Sequence, residues 1–226
     1  MSPPKQWFAL TLLDTVDLTA DLPTEKANLT AALPKLRANL EWASAEVNSS
    51  LAPVHAGHPA DDTWDDQVFF LRAIAETGYS QKKVAIEAAL GRLDEIENNP
   101  DPGREVAGWV LDDAVEYLKD VGLDDAALRN ATAPLSIDGL PLAEVIWQAR
   151  NQRHHFNQPE DFHPPTLAAF RRIVAARPDA FSLATPPSSD PDLQSLLKSR
   201  SWAPEILVML GWTSTESIIR DVASIH

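Results

Sequence analysis

The sequence contains no cysteine. Disulfides, thiolate metal sites and a cysteine nucleophile are thereby excluded, and the redox compartment is left unread. Positive charge is scarce as well: 19 Lys and Arg stand against 33 Asp and Glu, a formal net charge of -14. A body of that sign repels nucleic acid in bulk, so any contact with RNA or DNA has to be local. Long apolar runs are also missing. The N-terminal one, Trp7 to Leu13, stops at Asp14 and is too short for a secretory core or a membrane span. The expectation is a soluble, cytoplasmic chain with no membrane partner. Alternating β-branched runs between tight glycine turns are almost absent. There is no Gly-rich phosphate loop, no arguable Ser-His-Asp order and no internal repeat.

What is present reads as helix. At 226 residues and 44% hydrophobic content the chain can bury a real core. Leu29, Leu33, Leu36 and Leu40 recur at spacings of three and four between Pro23 and Ser50, with Pro34 placed to kink that helix. A Pro/Gly/Ala-rich loop follows. Thr63 then reads as the cap of a second helix, carrying Val68, Phe69, Leu71, Ile74 and Ala75 and ending at Gly78. In the next segment Ile86, Ala89, Leu90, Leu93 and Ile96 share a face, and "NNPDPG" stops it. Another helix runs to about Asp120, followed by a turn and one more. From Pro141 a helix extends to about Phe156, Pro159 bars its continuation, and Pro164 with Pro165 opens the next. "LATPPSSDPD", residues 183–192, has linker composition. Two or three short helices come after it, with Trp202 and Trp212 as anchors, forming either a lid on the main body or a small separate unit. The fold expected is all-α: an antiparallel helical bundle over 1–182, a linker at 183–192 and a short helical segment at 193–226.

One stretch of this acidic chain stands apart: "WQARNQRHHF", residues 147–156. At about 100° per residue, Leu142, Val145, Ile146, Ala149, Arg153 and Phe156 fall in one arc of about 100°, the expected core face. Measured from Leu142, Arg150 lies at about 80°, His154 at about 120°, Asn151 at about 180° and His155 at about 220°, all away from the core. Such a face is most simply a solvated one. Its chemistry is nevertheless specific, because imidazole exchanges protons near neutral pH and guanidinium holds phosphate with a planar fork. RNA is cut without a metal when its own 2′-hydroxyl is deprotonated to attack phosphorus while a cation stabilises the phosphoryl oxygens. His155 has the chemistry of the base or acid and Arg150 that of the cation. One helix offers only His155 and a poorly aligned His154, so two copies meeting face to face would supply two sets. Between residues 144 and 177, Arg150, Arg153, Arg171, Arg172 and Arg177 outnumber Glu144, Glu160 and Asp161. That local excess makes Arg153, His154, Arg171 and Arg172 candidate RNA contacts.

"ARNQRHHF" resembles the Arg-Asn-x-x-x-His form of the signature motif of the HEPN superfamily. The resemblance implies an all-α core over about 60–182 and a homodimer whose motif helices line a shared cleft. Many members are endoribonucleases that need no metal or cofactor and act as toxins of toxin–antitoxin or abortive-infection (phage-defence) systems; others have lost catalysis. By that pattern the catalytic residues are Arg150, Asn151 and His155, the substrate is single-stranded RNA, and an antitoxin protein is a partner. The alternative is a non-catalytic helical module that binds a nucleotide, an RNA end or a protein.

Other candidates are weaker. His154, His155, Glu160, Asp161 and His163 are metal-ligand types within ten residues, but adjacent helical histidines diverge by about 100°, so no metal site is expected. His55 and His58, near Asp61 and Asp62, read as a solvated loop. Asp112 and Asp113 read as a helix face, with one of them able to orient a motif arginine. Trp147 is expected to pack beside the motif helix.

Overall fold

The computed structural model describes residues 8–13, 18, 22–48, 79–120 and 137–225, and every regular element among them is helical. The all-α fold expected from the sequence is what the chain adopts. The helix expected between Thr63 and Gly78, the one after Asp120, and His55, His58, Asp61 and Asp62 lie outside the described residues. No described helix is long and apolar enough to cross a membrane.

The chain divides into two compact units, Met1–Val106 and Ala107–His226. The first holds α1 (Phe8–Leu13), α2 (Leu22–Asn48), α3 (Tyr79–Glu97) and the first turn of α4 (Pro102–Asp120). Helix α2 packs on α3. It passes Pro34 as a single helix, burying Leu29, Leu33, Leu36 and Leu40 as their spacing requires. On α3 the buried residues are Ile86, Ala89, Leu93 and Ile96, whereas Leu90 is half-buried at the margin of that stripe. Arg37 closes the edge of the pair, reaching Asp94 at 2.8 Å and Glu97 at 3.3 Å. The start of α4 is set locally: Pro102 needs no amide partner in the first turn, and the Asp101 carboxylate accepts from the Arg104 amide at 3.2 Å.

The second unit contains the rest of α4, then α5 (Leu142–His155), α6 (Pro164–Ala176), α7 (Asp190–Ser199), α8 (Ala203–Leu210) and α9 (Thr215–Val222). Short 3-10 turns at Ile137–Gly139 and Pro178–Phe181 join them. Helix α6 packs on α5, on both turns and on α7, and α8 packs on α5. Residues on both sides of the Pro/Ser/Asp stretch at 183–192 belong to this one unit. The tail helix α8 thus lies against the motif helix. Trp212 and Trp202 are its buried anchors: the Trp212 indole donates to Asp221 at 3.0 Å, and Trp202 lies 4.8 Å from the Phe181 ring. Gly211 ends α8 with φ of 72°, a left-handed cap that glycine adopts without a Cβ penalty.

The buried face of α5 departs from the arc expected from its apolar residues. Leu142, Val145, Ile146 and Ala149 are buried as anticipated, but Arg153 and Phe156 are only half-buried, and Gln148 and Gln152 take the inner positions. Hydrogen bonding is the reason. The Gln152 amide donates to the Leu197 carbonyl at 2.7 Å and the Arg200 carbonyl at 2.8 Å, and its oxygen accepts from the Trp202 amide at 2.9 Å. These are the orphan backbone groups where α7 ends and α8 begins, so a fully buried polar side chain here satisfies three others. Gln152→Leu keeps the volume and strands those groups. It is expected to lower unfolding stability by about 3 kcal/mol, read from urea titration.

Candidate functional site

The motif helix presents its polar residues in two directions. Arg150, Arg153 and His154 turn toward α4 and converge on a single carboxylate. Arg150 Nε lies 3.3 Å from Asp112 Oδ1, Arg153 Nη1 lies 2.9 Å from Oδ2, and His154 Nε2 lies 2.6 Å from Oδ1. An ionised carboxylate only accepts, so His154 carries its proton on Nε2. The two guanidiniums alone outweigh the one carboxylate. Arg150 contributes only Nε to this arrangement, and among the described residues its two terminal nitrogens meet no acceptor. Beside them Trp147 is half-buried, with Arg150 Cζ 6.0 Å and Lys119 Nζ 5.6 Å from its ring.

Gly108 makes the convergence feasible. It precedes Asp112 by one turn of α4, and a Cβ there would overlap the Arg153 side chain, whose Cζ would be 2.7 Å away. Arg153 therefore crosses α4 through the space that a side chain would fill.

Asn151 and His155 turn the other way, into a cleft of about 260 Å³ closed by the segment leading into α6. Gln158, Glu160, Asp161 and His163 line the rest of its polar wall, with Phe162 and Thr166 beneath. His155 is oriented there by Gln158. The Gln158 amide nitrogen donates to the His154 carbonyl at 3.1 Å, which fixes the amide's orientation and turns its oxygen toward His155 Nδ1 at 2.6 Å. That oxygen can only accept, so Nδ1 carries the proton and Nε2 of the neutral ring keeps its lone pair. Asn151 Nδ2 donates to Gln148 Oε1 at 3.4 Å, and the same oxygen accepts from Thr166 Oγ1 at 2.8 Å, tying the floor of the cleft to α5 and α6. Lys198 reaches in from α7 to Asp161 at 3.0 Å and the Pro159 carbonyl at 3.2 Å.

The remaining candidates stand apart. Arg171 pairs with Asp190; Arg172 donates to the Asp138 carbonyl and lies 3.5 Å from its carboxylate; neither lines the cleft. Arg177 pairs with Asp179 at 3.3 Å, and that hydrogen bond holds the Asp179 carboxyl below the ordinary carboxylate range. The basic excess read between residues 144 and 177 is thus answered in space by Asp112, Asp138, Asp179 and Asp190, all outside that window. Among the described residues no three His, Asp or Glu side chains gather in a way that could hold a metal ion. Gln158 and Gly108 carry little signal in the sequence. Only the three-residue step from His155 to Gln158 offered a local signal for the first, and nothing did for the second. No family model, curated protein or solved structure matches the chain.

In the interior of a helix Gly→Ala is worth about 1 kcal/mol in favour of folding. At Gly108 that gain is set against displacement of Arg153 from Asp112. Gly108→Ala is expected to leave the wild-type protein no more stable, yet to stabilise an Arg153→Ala background by about 1 kcal/mol. A double-mutant cycle measured by thermal unfolding checks this.

Proposed function

We propose that the protein is a metal-independent endoribonuclease of HEPN type that cleaves single-stranded RNA through attack of the 2′-hydroxyl. The observation that carries this reading is His155: its Nδ1 proton is committed to Gln158, so the free lone pair on Nε2 belongs to a cleft it shares with Asn151. A base so oriented accepts the 2′-hydroxyl proton, and Asn151 positions the phosphate. The phosphoryl charge calls for a cation, and Arg150 has two unoccupied terminal nitrogens among the described residues. Arg150 does not line the cleft of its own chain. A site with both groups is assembled when Arg150 of a second copy approaches His155, which is why the active species is read as a homodimer joined through α5. In this reading the protein is the cytoplasmic toxin of a toxin–antitoxin or phage-defence system, and an antitoxin protein restrains it.

A second reading is a non-catalytic helical module that binds a nucleotide, an RNA end or a protein partner. It is favoured by one observation: Asp112 already engages Arg150, Arg153 and His154.

Cleavage of a labelled mixed-sequence RNA in excess EDTA separates the two. The wild type is expected to leave 2′,3′-cyclic phosphate ends, with His155→Ala slower by about 10²–10⁴-fold and Arg150→Ala by about 10²–10³-fold. Binding without cutting by all three proteins would select the module. Light scattering is expected to give twice the chain mass for the active wild type.

A further inference from the structure

Cleavage of RNA by its own 2′-hydroxyl needs a proton taken from O2′ and a proton given to the departing O5′. The motif supplies one imidazole to the cleft, because His154 is turned away onto Asp112. The cleft nevertheless holds a second imidazole, contributed by a different element: His163 lines it together with His155 and Asn151. We propose that His163 is the general acid of the reaction, so that each cleft carries its own base and acid and takes only the arginine from a second copy. This rests on the endoribonuclease reading above.

Three features set His163 apart from an incidental surface histidine. First, its backbone is held from both sides. Phe162 before it is buried, and the Phe162 amide donates to Gln194 Oε1 at 3.2 Å; Pro164 after it fixes the extended backbone of His163, at φ of -58° and ψ of 146°. The exposed His163 ring therefore departs from a backbone tied on one side to the core and on the other to α6. Second, that side chain is uncommitted. His163 occupies the N-cap position of α6 but makes no capping hydrogen bond, and among the described residues its ring has no hydrogen-bond or ion-pair partner. Third, the two imidazoles are differently wired. His155 already donates Nδ1–H to Gln158 and offers a lone pair, the arrangement of a base, whereas no described group fixes either nitrogen of the His163 ring.

His155 Nε2 accepts the proton of O2′ as O2′ bonds to phosphorus; the P–O5′ bond breaks, and the His163 imidazolium delivers its proton to O5′. A 2′,3′-cyclic phosphate and a 5′-hydroxyl leave. His155 is then protonated and His163 neutral, and exchange with water restores both.

A general acid matters in proportion to how poor the leaving group is, and that dependence provides the test. Two substrate sets are compared in EDTA: a mixture of ribodinucleoside monophosphates, whose leaving group is an alkoxide, and the p-nitrophenyl esters of the four nucleoside 3′-phosphates, whose leaving group needs no protonation. His163→Ala and His163→Gln are expected to slow the dinucleotides by about 10²–10³-fold while changing the p-nitrophenyl esters by less than about tenfold, which also reports an intact fold. His155→Ala is expected to slow both sets alike. Equal slowing of both sets by the His163 variants, or no slowing of either, would overturn the assignment and leave the endoribonuclease reading standing. A wild type that cleaves neither set would bring down both.

Discussion

The setting of α5 about its own axis governs everything else in the second unit, and two buried amides hold it. Gln148 and Gln152 are one turn apart on the inner side of the helix. Gln152 is bonded to the backbone where α7 gives way to α8, and Gln148 to Thr166 on α6 and Asn151 beside it. Apolar packing alone would specify this rotation loosely, since a hydrophobic contact tolerates a slide of some degrees. Directional hydrogen bonds inside a dry core do not tolerate it, because a misplaced amide leaves several polar groups unsatisfied at once. With the rotation so fixed, Asn151 and His155 meet the cleft, and Arg150, Arg153 and His154 meet α4.

This division changes what the motif means. Read along the sequence, Arg150 and His155 look like members of one site. In the folded chain they serve opposite sides of the helix, with the arginines and His154 gathered by Asp112 and the other histidine held by Gln158. Asp112 restrains Arg150 through Nε alone and leaves the outer fork to other ligands. A carboxylate used in this way orients a cation without consuming it, provided that the other cations around it keep the local balance positive.

Helical periodicity made most of the fold legible. The leucines of α2, the isoleucines of α3 and the proline boundaries of α5 and α6 are encoded by residues within a turn or two of one another, and those elements appear where the spacing puts them. The inner face of α5 was not legible in the same way. Glutamine ranks as solvent-seeking in any local pattern, and the backbone groups that bury Gln152 lie 45 to 50 residues further on. The same limit left Asp112 as one of two acids able to orient a motif arginine and concealed that it gathers Arg150, Arg153 and His154, 38 to 42 residues downstream. It also made the arginine-rich window look more basic than it is, since its counter-charges come from outside it. Within the site, the residue types and the outward turn of Asn151 and His155 could be read. The partition of the motif into two faces, and the inclusion of His163 in the cleft, required the fold.

The Pro/Ser/Asp stretch at 183–192 invites a cut, since its composition looks like a seam between one domain and an appendage. Severing the chain there would remove the three backbone groups that Gln152 satisfies, along with the buried Trp202 and Trp212. What remained would hold every residue of the motif but only one of the two indexing amides still bonded to another helix, Gln148 to Thr166. In this chain the tail works like one of two stops on a dial: with it gone, the pointer rests on the other alone.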